Sequence, residues 1–184
     1  MNTPRGVWLD DLTRQEAISR FDGDAVAVVP IVSAGPPPPH LPLKTSTLIA
    51  RALGQKLMER LAVVVAPVFD VDSFMRRATL EQVLADRLDG LKALGARRIA
   101  LLEISASPVV TPDVPGEGLV VRVRDRSAAE EYPTSCLMAL EPRSVRMPLL
   151  PAGSRAQAFA GERAMAADVA TVVDALAAKW PDLV

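Results

Sequence analysis

Three apolar runs stand out along the chain: Ala25 to Val32 (AVAVVPIV), Leu61 to Val68 (LAVVVAPV) and Arg98 to Ile104 (RIALLEI). Each is of strand length and lacks sustained polar alternation, the pattern of strands covered on both faces of a parallel sheet. Between the runs the apolar positions move to helical spacing, first Leu48, Ile49, Ala52, Leu53 and Leu57, then Leu80, Val83, Leu84, Leu88 and Leu91. Ser46 is the expected cap of the first helix, Thr79 and Gln82 have the form of a capping box for the second, and Gly95 is placed to end it. Strand, helix, strand, helix, strand is the order of right-handed βαβ units, with helices on both faces.

The flanks extend this frame. Thr13 and Glu16 form a capping box for a short helix to about Phe21, and Phe21 to Asp24 turns the chain into the first apolar run. Residues 107–118 are rich in Pro and Gly and read as loop, after which Leu119 to Arg124 alternates Val with Arg like an edge or half-exposed strand. Pro133 to Leu140 predicts a short helix with Pro in its first turn. A last helix is expected from about Ala156 to Lys179, turning Phe159, Met165, Val169, Val172, Val173 and Leu176 inward before Trp180-Pro181 stops it. The expected fold class is a three-layer α/β domain over 1–184, mostly parallel, with no internal repeat.

Composition narrows the partners. The chain has 184 residues, 49% of them hydrophobic and only 4% aromatic, so the core is mainly aliphatic. A net charge of −1 with interspersed signs gives no footprint for nucleic acid or an anionic membrane, and no apolar run approaches a membrane span. Cys136 is the only cysteine, which rules out an intramolecular disulfide and reads as buried core beside Leu137 and Met138. The opening MNTPRGVWLDDL has an early Asp pair where a secretory leader has an apolar core, and a cytoplasmic location is expected.

The stretch VVPIVSAGPPPPHLPLKTS (28–46), preceded by Trp8, Leu12-Thr13 and Glu16, resembles the opening of the creatininase family of metal-dependent amidohydrolases, whose pattern is W, LT, E, then LPVGSxEQHGPHLPLxTD. Gly95 to Leu102 (GARRIALL) is similar to the family's GFRRIVLV strand, and Glu130 to Pro142 (EEYPTSCLMALEP) to its GExETSxxLALxP helix. The resemblance implies a creatininase-like α/β fold and a symmetric homo-oligomer. It also implies chemistry with two adjacent divalent metals that activate a bridging water. The chain departs at the ligands themselves. The family's ligand glutamate falls on Gly35, its ligand histidine on Pro37, its bridging aspartate on Ser46, and the histidine of its NGHGGN segment on Ser105. His40, the only histidine, matches a motif histidine that is not a ligand. Four prolines at 36–39 remove four backbone donors from the loop, and the chain is shorter than its relatives between the third strand and the EEYPTS helix.

The candidate residues follow from this mapping. Gly35, Pro37, His40, Ser46, Glu103 and Ser105 outline an expected small-molecule ligand pocket. His40 and Glu131 are the candidate catalytic groups, against the competing readings of a loop-orienting histidine and a surface charge run with Asp125 and Arg126. Asp70, Asp72 and Glu103 are the candidate ligands for a hard cation, against solvated loop acids. The proline tetrad reads as a rigid loop rather than a docking peptide. The expectation is a creatininase-like protein without the binuclear metal site or amidohydrolase activity: a non-catalytic subunit, scaffold or small-molecule binder. It has no cofactor, and it forms a homo-oligomer or partners an intact family member. The alternative is a diverged amidohydrolase acting on amide or cyclic amide C–N bonds.

Overall fold

The computed structural model describes residues 5–33, 37–71, 75–105, 118–124 and 131–183. Among these residues six strands form one sheet: β1 (Val7–Trp8), β2 (Ala27–Ser33), β3 (Val64–Val65), β4 (Phe69–Asp70), β5 (Ile99–Ser105) and β6 (Leu119–Arg124). The order is β1-β3-β2-β5-β6, with β4 beside β2, and every pairing is parallel. Five α-helices accompany them: α1 (Arg14–Asp22), α2 (Thr45–Arg60), α3 (Arg77–Ala93), α4 (Glu131–Leu140) and α5 (Ala158–Lys179). The expected three-layer fold is the observed one.

Side-chain alternation along the strands builds two cores. Val26, Val28 and Val32 join Leu53 and Leu57 of α2, Cys136 of α4 and Val169 and Val172 of α5 on one face. Ala27, Val29 and Ile31 join Phe21 of α1 and Leu80, Leu84 and Leu88 of α3 on the other. All of these are nearly inaccessible to water, which is why β2 carries no polar alternation.

The second apolar run forms only the two-residue β3, and pairing with β2 resumes just beyond it as β4; the reason lies in its neighbour. Along β2 the even-numbered residues bond sideways toward β3 and β4: Val64 N donates to Val26 O, Ala66 N to Val28 O and Val71 N to Val32 O. Position 30 in that series is Pro, which has no N–H to offer. The ladder opens there, and Ala66-Pro67-Val68 bulges between β3 and β4.

The helix ends also correct the sequence reading in part. The Thr13–Glu16 capping box is present, with Thr13 Oγ1 accepting from Glu16 N at 3.3 Å. Gly95 ends α3 at φ +99°, with Gly95 N donating to Lys92 O and Ala96 N to Leu91 O, a Schellman pair of bonds. Thr79 and Gln82 do not form the expected box, because α3 begins at Arg77 and Gln82 bonds Asp86 instead. Ser46 does not cap α2, which starts one residue earlier, where Thr45 Oγ1 donates to Pro42 O at 2.6 Å. Phe159 is 71% exposed rather than inward, since α5 meets α4 two residues later, at Gly161. A Cβ there would lie 2.1 Å from Ser135 O, so only glycine permits that approach.

Candidate functional site

In an open α/β sheet, sites form outside the carboxyl ends of the strands, where neighbouring connections leave in opposite directions. Here that place lies between β2 and β5, since α2 leads from β2 toward β3 while α3 returns the chain across β2 to β5. The strand ends are in register: Ser33 is the Cα partner of Ser105, Ser105 of Arg124, and Val32 of Asp70.

His40 sits near this end and is 1% exposed. Its loop is held from both sides, with Leu41 N bonding Pro38 O at 2.9 Å and Arg146 N bonding His40 O at 2.9 Å. Nε2 lies 2.8 Å from Thr134 Oγ1 of α4, whereas Nδ1 has no hydrogen-bond partner among the described residues. Leu41, Leu137 and Val145 pack together alongside. The HLPL and TS segments, 94 residues apart in sequence, thus meet through one imidazole. An orphaned buried nitrogen is costly, which singles His40 out as the polar atom here with unused capacity.

The candidate carboxylates do not gather around it. Glu103 is 2% exposed and accepts from Arg122 Nε at 2.8 Å, directly across the β5–β6 ladder. Its register partner on β2 is Ile31, which places it on the α1/α3 face. Asp70 is exposed, pairs with Val32 on the opposite face, and accepts from Thr47 Oγ1 of α2 at 2.9 Å. Glu131 opens α4 and accepts from Arg155 N at 3.3 Å. Pro37 and Ser46 are half-buried. Gly35, Asp72 and the side chain of Ser105 lie outside the described residues, as do Asp125 and Arg126. Among the described residues, no three His, Cys, Asp or Glu side chains come together as a metal site.

Sequence reasoning missed two polar contacts. Tyr132 OH donates to Asp168 Oδ2 at 2.5 Å between α4 and α5. Burial, with Cys136 and Asp168 adding to it, pushes the Tyr132 hydroxyl far above the usual phenol range, so it serves as a neutral donor. On the far side of α2, the Arg51 guanidinium lies 5.7 Å from the Trp8 ring centroid. The Tyr132–Asp168 spacing had no local signal, because the pair spans 36 residues.

No family model matches the chain, and no curated protein matches it in sequence. Solved structures do. The chain is similar to a glutamate-to-glutamine variant of creatininase of Zn–Zn type, with a TM-score of 0.80 and 16% identity over 98% of this chain and 100% of that one. It is also similar to the Mn form of creatininase (TM-score 0.75, 18% identity, 96% and 99% covered) and to creatinine amidohydrolase (TM-score 0.73, 17% identity, 96% and 98% covered). The chain has a creatininase-like fold. No helix among the described residues is long and apolar enough to cross a membrane.

Proposed function

We propose that this chain uses the creatininase-like scaffold without a binuclear metal centre or amidohydrolase activity, as a non-catalytic subunit, scaffold or small-molecule binder. The observation that carries this reading is the dispersal of the carboxylates. Asp70 is engaged by Thr47 on the α2 face, while Glu103 is engaged by Arg122 on the α3 face. Acids on opposite sides of a sheet do not share an ion.

The donor chemistry supports the same reading. The four positions matched to family ligands hold Gly35, Pro37, Ser46 and Ser105, which supply neither imidazole nor carboxylate. Carboxylates alone suit Mg²⁺, Ca²⁺ or Mn²⁺ better than zinc. These residues do not fit a two-zinc centre. His40 has Nε2 committed to Thr134, which suits holding the loop for a ligand better than moving a substrate's proton.

The test is elemental analysis of the purified protein after dialysis against mixed Zn²⁺ and Mn²⁺, with hydrolysis of cyclic and linear amides assayed in parallel. We expect less than about a tenth of an equivalent of metal, against the tight, near-stoichiometric binding of a formed site. Near-stoichiometric metal that disappears in Asp70→Asn, Asp72→Asn, Glu103→Gln or Glu131→Gln would overturn the proposal and install a diverged amidohydrolase. The proposal extends to a homo-oligomer or a pairing with an intact family member in the cytoplasm, and sedimentation velocity measures the first of these directly.

A further inference from the structure

We propose that a cleft at the β1 edge of the sheet binds a small zwitterion, an α-amino acid with an apolar side chain. Arg51 takes the carboxylate, Asp10 the ammonium group, and Trp8 with Val68 the side chain.

The cleft has a volume of about 170 Å³ and is lined by Trp8, Asp10, Thr47, Arg51, Pro67 and Val68. It exists because the ladder parts at Pro30: the Pro67-Val68 bulge stands away from β2 and forms one wall, at the carboxyl end of β1 and β3. Trp8 is seated firmly, since a Cβ added at Gly54 of α2 would lie 2.7 Å from the indole. That ring in turn carries Arg51, a cation–π platform that holds the guanidinium at the cleft without neutralising it.

The charge pattern selects the ligand class. Arg51 and Asp10 line one small cleft, yet neither is ion-paired among the described residues. One unneutralised cation and one unneutralised anion beside an apolar wall complement a dipole with an apolar body, whereas a simple anion meets Asp10 and a simple cation meets Arg51. Asp70 adds negative charge on the Thr47 side, and Arg87 donates to Pro67 O at 3.4 Å from the opposite face, so the outer groups are balanced as well. At about 30 Å³ per water, the cleft has room for roughly six waters, which suits a free amino acid.

The two tryptophans provide the measurement. In indole-resolved ¹H–¹⁵N spectra of the full chain, L-leucine is expected to shift the Trp8 Nε1–H signal saturably in the millimolar range, while that of Trp180, 4% exposed, stays in place. Isocaproate lacks the ammonium group and leucinamide the carboxylate; each is expected to bind about fivefold more weakly, the ceiling for exposed charge pairs. Arg51→Gln and Asp10→Asn are each expected to weaken leucine by a similar factor, with an unmoved Trp180 signal reporting an intact fold. Absence of a saturable Trp8 shift at tens of millimolar, equal shifts from all three probes, or undiminished binding in both variants overturns the proposal. None of the cleft residues is matched to a family metal ligand, so metal binding and leucine binding succeed or fail separately.

Discussion

On the α1/α3 face of the sheet, Ala27, Val29, Ile31, Ile99 and Leu101 meet a row of leucines on α3, and among the described residues Glu103 is the one buried polar side chain there. On the α2/α4/α5 face the alternate residues of the same strands are equally apolar, but the segments above them also bury His40, Thr45, Thr134, Ser135 and Asp168. Strands covered on both sides have no room for unsatisfied polar groups, so chemistry has to be delivered by loops and helix ends. One face of this molecule supplies the fold and the other carries its options for function.

Truncating the leucine row tests the first half of that contrast. Leu84, fully buried in α3, is expected to cost about 2–5 kcal/mol as Leu84→Ala, read as a fall in the chemical-denaturation midpoint. A loss below that range would mean that the α3 layer is not the structural half. On the polar face the expected effect is smaller and has a different signature. Thr134→Val leaves both nitrogens of His40 without a described partner and is expected to cost about 1–3 kcal/mol, part of which His40→Leu in the same chain restores, because neither side of that one bond is then left unsatisfied. Additive losses in the double variant would show that the pair is not the unit holding the loop.

The smallest effect belongs to neither face. Arg98 holds the Asp182 carboxyl below its ordinary value of 3.8 through a hydrogen bond and its charge. A depressed carboxylate stabilises the fold above its unfolded pKa, and that contribution disappears as pH falls through the folded value. Stability of the native chain is therefore expected to decline more steeply below about pH 4 than that of Asp182→Asn. Parallel acid limbs in the two proteins would refute the pairing in solution.

Much of the frame was legible in the residues because its signals are local. The Thr13–Glu16 box, the Gly95 stop and the apolar runs that became β2 and β5 each rest on neighbours within a few positions. The errors fell where a distant residue decides. Leu61 to Val68 looks like one full strand, yet only Val64–Val65 is strand within it, because Pro30 on the adjacent strand has no N–H to continue the ladder past Ala66. Phe159 has inward periodicity, but α5 is positioned by Gly161 against the Ser135 backbone, which leaves the first turn outside.

The candidate site divides in the same way. The sequence by itself determined the chemical inventory: one histidine, no imidazole or carboxylate at the four matched positions, and a proline loop between a buried strand and a helix. Those follow from residue identity and need no coordinates. Only the tertiary structure decided that His40 reaches Thr134, that Asp70 and Glu103 lie on opposite faces, and that Trp8, Asp10 and Arg51 share a cleft. Each of these depends on strand register and helix placement, which are set by packing summed over the whole sheet rather than by any local run of residues.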